Sequence, residues 1–215
     1  MTQPAIELVD GLPVFSQIKP ADIKPALEKA IAHCKATIDE VVASGDYSYA
    51  NVVAHIEEAD DRLGKMWSPV SHMNSVVSSE ELREAHDSCL PLLSEYGTWV
   101  GQHEGLYKAY TALRDSDEFA TLDEQRQKYI EDTIRDFTLS GVALPQDKKE
   151  RYAQISARLS ELSSTFSNNV MDATMGWSKH ITDEAQLSGM PESALAAAKQ
   201  AAAGKDLQGW LFTLD

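Results

Sequence analysis

The sequence has few cysteines, few cations and no long apolar run, and each shortage excludes a class of protein. Its two cysteines, Cys34 and Cys89, are too few for a disulfide framework and suit a reducing compartment. Lysine and arginine number 19 against 34 aspartates and glutamates, a formal net charge of −15. A surface this acidic repels nucleic acids and anionic lipids, so we expect neither as a partner. No apolar run reaches the roughly 18 residues of a membrane span and no signal peptide is visible, so we expect a cytoplasmic protein.

Helical periodicity dominates what the sequence does contain. Apolar residues make up 43% of the chain and charged residues 25%, as in ordinary globular proteins. A first helix is predicted from near Asp22 to Gly45, with Pro25 in its first turn. A second is predicted after Ser48, and Pro69 should kink or break it because proline has no N–H for the helical ladder. Their apolar positions are Ile23, Leu27, Ile31, Cys34, Ile38, Val41, Val52, Val53, Ile56, Leu63 and Met66.

The third predicted helix has the most regular pattern. Ser78 and Glu81 form a capping box at its start. A 3.5-residue period then continues, which predicts one long helix buried along one side and bent at Pro91. The residues of this side are Leu82, Ala85, Cys89, Leu92, Tyr96, Trp99, His103, Leu106, Tyr110 and Leu113.

Three glycines recur at four-residue spacing on the same predicted helix: Gly97, Gly101 and Gly105. Glycine in a helix interior costs roughly 1 kcal/mol relative to alanine. We expect this cost to allow the close approach of another helix over the glycine face, with a peptide running past it as the alternative.

The rest of the chain predicts two more long helices and then a different texture. A capping box at Thr121 and Glu124 opens the fourth helix, which continues to Phe137. The fifth begins after Pro145 with a 3.5-residue period, and we expect it to lie antiparallel to its neighbour. Its periodic residues are Tyr152, Ile155, Leu159, Leu162, Phe166, Asn169 and Ala173.

Two short strands, 177–182 and 209–214, flank an alanine-rich helix at the end of the chain. Two strands alone make a marginal sheet, so this segment looks incomplete. The predicted fold is mainly α, an antiparallel array of about five long helices followed by a small, incomplete α+β segment. We predict a helical domain at 1–175 and the start of an α+β segment at 176–215, whose sheet continues beyond this chain.

His103 and Glu104 open the zinc-protease motif H-E-x-x-H without completing it. Tyr107 stands where the second histidine is required, one helical turn on. The periodicity places His103 on the buried side, which favours a core histidine that is hydrogen-bonded to a neighbour. The other histidines show no metal-binding spacing, and no nucleophile motif or phosphate loop is present. We therefore predict no catalytic residue, no metal ligand and no cofactor in this chain.

The segment "HIEEADD" (55–61) gathers four carboxylates near a histidine. On a helix its acidic residues, Glu57, Glu58, Asp60 and Asp61, splay over most of the circumference, which indicates a solvated face.

Ser71, His72 and Asn74 are the candidate substrate-binding residues. They lie in "SPVSHMNS" (68–75), where the predicted break at Pro69 would place polar side chains on irregular backbone. Irregular segments carry a large share of binding residues, so we expect these three to contact ligand.

The segment "RDFTLSGVALPQDKKERYAQISARLSELSSTFSNNVMDATMGW" (135–177) resembles the zinc metallopeptidases of the thimet oligopeptidase family. It contains an R-x-F-x-L-x-G-x-x-L connection and a helix with L-S-x-L-x-x-x-F-x-N-N-V. The segments "FSQIKPADIKPALEKAI" (15–31), "SPVSHMNSV" (68–76) and "LLSEYGTWVGQHEGLYKAY" (92–110) resemble a bacterial member in the same order.

The resemblance implies a function that the residues alone do not. Family members are large helical enzymes whose two lobes flank a channel for short peptides, with zinc held by H-E-x-x-H and a later glutamate. The chain matches only their N-terminal part, so it would form a wall of the channel and be inactive alone. Its partners would be oligopeptides and the missing catalytic lobe, with zinc in the parent enzyme. The alternative is a free-standing helical module that binds peptides or a partner without chemistry.

The predicted fragment would leave surfaces uncovered. The helix faces that would meet the catalytic lobe, and the edge of the unfinished sheet, would be exposed. We therefore expect self-association, or disorder of the C-terminal strand.

Overall fold

The computed structural model describes residues 4–7 and 10–214. Within them the chain forms seven α-helices and one two-stranded sheet, and the predicted fold class, mainly α with a small α+β end, is confirmed. The helices are α1 (Pro20–Ser44), α2 (His55–Val76), α3 (Glu80–Gly101), α4 (Glu104–Arg114), α5 (Glu124–Leu139), α6 (Gln146–Gly176) and α7 (Glu192–Ala203), and the strands are β1 (Ser178–Ile181) and β2 (Trp210–Thr213).

Helix α1 is the centre of the larger unit, because its apolar positions are buried along its whole length. Ile23 and Leu27 are fully buried in an apolar cluster with α2 and α3. Ile38 and Val41 are buried in a second cluster with α4 and α5. The helix ends where predicted, since Gly45 adopts the left-handed conformation with φ 68°. Burial of each such aliphatic side chain contributes roughly 1.5–3 kcal/mol, so α1 holds both clusters together.

Of the kink or break predicted at Pro69, the break does not occur, and the kink stays a prediction. A π-helical turn at Ala50–Ala54 leads into α2, which stays helical through Pro69 to Val76. Proline removes one hydrogen bond from the ladder. Met66 and Val70, on either side of it, are 3% and 0% exposed, and their burial keeps the helix in register past the missing bond. The irregular backbone expected at Ser71, His72 and Asn74 therefore does not form.

The prediction of one long third helix is also wrong, although its buried side is confirmed. The helix divides into α3 and α4 at Gln102 and His103, where His103 has extended φ and ψ of −79° and 97°. Tyr96 before the break and Leu106 after it are both buried. The apolar period persists across the break because both helices cover the same core, and the pattern therefore does not reveal the break.

Two predicted helix starts are shifted along the chain. Ser79, and not Ser78, is the N-cap of α3, and its hydroxyl accepts a hydrogen bond from the Leu82 N–H at 3.2 Å. Asp123, and not Thr121, caps α5 and accepts from the Arg126 N–H at 2.9 Å.

Helix α6 buries none of its residues. Its periodic apolar side chains are exposed, among them Leu159 at 59% and Phe166 at 70%. The period predicted the helix, and its apolar face is exposed, as expected of the heptad-patterned helix faces that would meet a catalytic lobe.

The chain divides into two compact units within α6, between Glu161 and Leu162. In the smaller unit β1 and β2 pair antiparallel, with Ser178 opposite Thr213 and Ile181 opposite Trp210. Helix α7 packs on β2, and Leu211 is 4% exposed. Both strands lie where predicted, and Asp215 lies outside the described residues. The expected alternatives, self-association or disorder of the C-terminal strand, stay predictions. The assignment of roles to 1–175 and 176–215 stays a prediction.

Candidate functional site

The candidate residues Ser71, His72 and Asn74 lie on the last turns of α2. His72 is exposed, and its ring centroid is 6.0 Å from that of Phe15. Asn74 Oδ1 is buried and has no hydrogen-bond partner among the described residues. Successive helical residues turn by about 100°, so Ser71 and Asn74 share a face that His72 does not. Two clefts of the helical unit, of about 470 and 450 Å³, are lined by other residues, and ligand contact by these three stays a prediction.

His103 caps helix α4. Its Nδ1 atom accepts a hydrogen bond from the Leu106 N–H at 3.0 Å, and its Nε2 atom lies 3.7 Å from Asp39 Oδ1. The ring packs edge-on against Trp99, with 4.8 Å between centroids. The predicted hydrogen bond of His103 to a neighbour is confirmed, and the neighbour is the first turn of its own helix. The prediction that His103 is a core residue is wrong, because its side chain is only partly buried.

A zinc ion does not fit at His103 and Glu104. The Nδ1 atom of His103 is engaged by the backbone, and Tyr107 packs on Phe137 with 5.9 Å between ring centroids. Glu104 Oε1 accepts from Lys149 Nζ at 2.8 Å, which lowers the pKa of the Glu104 carboxyl. Among the described residues, no three His, Cys, Asp or Glu side chains are grouped closely enough to hold a metal ion.

A cleft of about 470 Å³ lies between α2, α3 and α5, and we call it the α2–α3–α5 cleft. Its apolar lining comprises Leu63, Trp67, Leu93, Tyr96, Val100 and Phe137. The polar residues that line it are Asp60, Thr133, Asp136 and Ser140. A mainly apolar concavity with a few converging polar groups is the usual form of a ligand site.

Asp60 and Tyr96 form a hydrogen-bonded pair at the cleft. The Tyr96 hydroxyl donates to Asp60 Oδ1 at 2.6 Å. Burial, together with the Asp60 carboxylate, raises the pKa of Tyr96 well above its ordinary value. Behind the pair, the Cys34 thiol contacts the Ala59 carbonyl at 3.4 Å, and burial raises its pKa to about 11. That thiol is protonated at neutral pH and is not a nucleophile.

The expectation of a solvated acidic face holds for Glu57, Glu58 and Asp61, which are exposed, but not for Asp60. Asp60 is half-buried because Tyr96 on α3 reaches its carboxylate. Sequence reasoning missed Asp60 as a cleft residue, since the four carboxylates are alike until a facing helix selects one of them.

The predicted close approach of a neighbouring element is confirmed at Gly101 and Gly105 but does not occur at Gly97, where the alternative of a passing peptide stays a prediction. A Cβ atom on Gly101 would lie 2.7 Å from Ser140 Cβ, and one on Gly105 would lie 2.8 Å from Val42 Cγ1. Neighbouring elements do approach closely there. A Cβ atom on Gly97 would meet nothing within 4 Å, and the same holds for Gly64 on the facing helix. Gly64 and Gly97 both line the α2–α3–α5 cleft, and no side chain from these positions fills it.

None of the helices in residues 4–7 and 10–214 combines the length and apolar character needed to cross a membrane.

Comparison with known proteins identifies relatives along the whole chain. The family model described as "Neurolysin/Thimet oligopeptidase, N-terminal domain" matches residues 27–149. Oligopeptidase A of Salmonella typhimurium is 56% identical over 216 residues, which cover 100% of this chain and 32% of the relative. Oligopeptidase A of Haemophilus influenzae is 55% identical, covering 100% and 31%. The probable cytosolic oligopeptidase A of Arabidopsis thaliana is 33% identical over 210 residues, covering 94% and 30%.

The chain thus spans about a third of the length of the curated relatives that it matches. The family model covers more than half of the chain, and the similarity to the bacterial relatives extends from one end of it to the other. The chain belongs to the neurolysin/thimet oligopeptidase family and is the N-terminal domain of an oligopeptidase A-like peptidase.

Proposed function

We propose that this chain forms one helical wall of the peptide channel of an oligopeptidase A-like zinc endopeptidase that acts on short peptides in the cytoplasm. The proposal rests on the 56% identity to Salmonella oligopeptidase A, which extends over the whole chain but over only 32% of that protein. Oligopeptidase activity belongs to the named relatives, and it comes to this chain as part of the proposal. Within it, residues 1–175 are the wall and residues 176–215 begin a sheet that continues in the rest of the enzyme.

The chain's own residues favour a wall over a catalytic centre. Peptide hydrolysis by a zinc enzyme needs three protein ligands and a general base around one ion. The only partial motif, His103 and Glu104, is engaged in a helix cap and in an ion pair with Lys149. We therefore assign zinc and the reacting groups to the part of the enzyme that this chain does not include.

The first experiment measures hydrolysis of an internally quenched oligopeptide by the purified chain, with zinc added and with a chelator as control. We expect no turnover, because no residue set in the helical wall activates water. Chelator-sensitive cleavage would overturn the assignment, and the variants His103→Ala and Glu104→Gln would then locate the site.

A domain exchange tests the positive half of the proposal. In Salmonella oligopeptidase A, the matching N-terminal third is replaced by this chain. We expect the exchanged enzyme to cleave an unstructured oligopeptide and to spare the same sequence in a surface loop of a folded protein. A folded but inactive exchange, beside an active parent enzyme, would refute a shared wall function.

The second candidate function is a free-standing helical module that binds peptides or a protein partner without chemistry. The open α2–α3–α5 cleft favours it, since a binding module needs no more than such a concavity. The reading frame beyond Asp215 distinguishes the two candidates: a continuation with H-E-x-x-H supports the enzyme, and a stop codon supports the module.

A further inference from the structure

The α2–α3–α5 cleft stays open because two facing helices have glycine there. Gly64 on α2 and Gly97 on α3 line it, and a Cβ atom on either would meet nothing within 4 Å. A helical glycine costs about 0.5–1 kcal/mol relative to alanine. At Gly101 that cost allows close contact with Ser140, whereas at Gly64 and Gly97 no atom of a neighbouring element in the described residues lies within 4 Å of an added Cβ atom. The space beside these two glycines can therefore hold a group from another molecule.

The lining of the cleft suits a large apolar side chain. Trp67, Tyr96 and Phe137 present aromatic surface from three different helices. Trp67 is fixed by stacking on His86, with 5.1 Å between ring centroids and 20° between planes. The volume of about 470 Å³ is within the range of small-ligand sites. Removal of one aromatic or leucine side chain from water into such a site contributes roughly 1.5–3 kcal/mol.

The charges at the cleft select a cation. Two carboxylates line it, Asp60 and Asp136, and its lining contains no lysine, arginine or histidine. The Tyr96 hydroxyl that donates to Asp60 is neutral, so this hydrogen bond does not neutralise the negative charge of the Asp60 carboxylate. Asp136 is exposed and shares its charge with Arg135, whose Nη2 lies 3.3 Å from Oδ1. An exposed pair of this kind is weak and leaves most of the carboxylate field available to a ligand.

We propose that the α2–α3–α5 cleft binds peptides through one large apolar side chain that is adjacent to a lysine or arginine. The apolar side chain occupies the space beside Gly64 and Gly97, and the basic side chain lies against the carboxylates of Asp60 and Asp136. This inference rests on the proposed function, since it takes the ligand of the helical wall to be a peptide.

Fluorescence anisotropy with end-blocked, fluorescein-labelled hexapeptides tests the ligand chemistry. The peptides differ only at two adjacent positions, which are Phe-Arg, Ser-Arg or Phe-Glu. We expect the 215-residue chain to bind the Phe-Arg peptide at least about tenfold more tightly than either of the others, equivalent to roughly 1.4 kcal/mol. Added salt should weaken the binding of the Phe-Arg peptide more than that of the Phe-Glu peptide, because only the Phe-Arg peptide has a charge that attracts the cleft carboxylates and can be screened. Equal affinities for all three would overturn the proposal.

Matched variants test the location. Gly97→Leu places a side chain into the cleft, whereas Glu95→Leu adds the same side chain at an exposed position of α3 outside it. We expect Gly97→Leu to weaken Phe-Arg binding at least about tenfold and Glu95→Leu to leave it within about twofold. Gly64→Leu repeats the test from the facing helix, so that misfolding of one variant leaves a second result.

A charge pair on α5 tests the carboxylates. Asp136→Asn should weaken the binding of the Phe-Arg peptide about threefold. Glu131→Gln removes the same charge from an exposed position outside the cleft and should leave the binding unchanged. Equal effects in each matched pair would overturn the location. If Gly97→Leu instead changes the oligomeric state without changing peptide affinity, the cleft receives a second copy and the proposal fails.

The outcomes are separable from those of the proposed function. If the domain-exchanged enzyme is active and Gly97→Leu does not change its affinity for peptides, the proposed cleft site is refuted and the proposed channel wall is retained. If the domain-exchanged enzyme folds but is inactive, the proposed channel wall is refuted, whether or not the chain binds a peptide in the cleft.

Discussion

At the scale of single residues, the buried Tyr96–Asp60 pair couples stability to alkaline pH. Burial raises the pKa of Tyr96 most, and Asp60 raises it further. Burial likewise raises the pKa of Tyr110, and burial with Glu57 raises that of Tyr129 to about 12. In the unfolded chain a tyrosine loses its proton near pH 10. Below that pH both states keep the proton and the contribution to stability is complete, and above it only the unfolded state releases the proton.

We therefore predict that the free energy of unfolding falls as the pH rises above about 10, by up to about 1.4 kcal/mol per pH unit for each of the buried Tyr96 and Tyr110, and by less for the more exposed Tyr129. Tyr96→Phe should make this fall less steep. It should also cost about 1–3 kcal/mol at pH 8, because the half-buried Asp60 carboxylate loses its donor. Urea unfolding between pH 8 and 11 measures both effects. Tyr152→Phe on α6, which buries no residue, is the control, and equal slopes in the two variants would contradict the assignment.

Sequence reasoning located buried residues better than it located caps and polar partners. The apolar positions of α1, such as Ile23 and Leu27, are buried as periodicity predicts, because side chains three or four residues apart lie on the same face of a helix. The N-cap of α3 is Ser79 and not Ser78, since adjacent serines have the same propensity and only backbone geometry decides between them. Asp60 could not be distinguished from Asp61 without the position of Tyr96.

At the scale of elements, the two glycines on α3 should respond in opposite directions to one added methyl group. Gly97→Ala should stabilise the chain by about 0.5–1 kcal/mol, because alanine favours the helix and the new Cβ atom meets open space. Gly101→Ala should destabilise it, since its Cβ atom would lie 2.7 Å from Ser140 Cβ, which rotation of the Ser140 hydroxyl cannot relieve. Urea unfolding at pH 8 compares the two, and a change of the same sign in both would contradict this packing.

Elements were predicted where one local signal governs them and missed where packing overrides it. Gly45 ends α1 because a left-handed residue favours glycine. Pro69 does not end α2, because the burial of Met66 and Val70 outweighs one missing hydrogen bond. The division between α3 and α4 at His103 leaves the apolar period intact, so the period could not predict it.

At the scale of the whole molecule, α6 shows that an apolar period predicts a helix face suited to burial but does not show whether that face is buried. Its 3.5-residue period predicted the helix correctly, but no residue of this helix is buried by the part of the chain that the structure describes. The relatives are about three times as long, and the sequence pattern gave no means to tell an internal partner from one outside the chain. The prediction of self-association follows from that uncovered face.

We predict that the chain self-associates through the apolar face of α6. Leu159 and Phe166 are 59% and 70% exposed, and exposed apolar side chains that repeat along one helix favour association in water. The formal charge of −15 opposes association, so it should strengthen as salt screens that repulsion. Light scattering over a concentration series should show a mass that rises with concentration. Phe166→Glu should lower it to the monomer value, whereas Ala157→Glu, which adds the same charge at an exposed position on the opposite side of α6, should not. A monomer mass at every concentration and salt level would contradict the prediction and leave the exposed face without a partner in this chain's own copies.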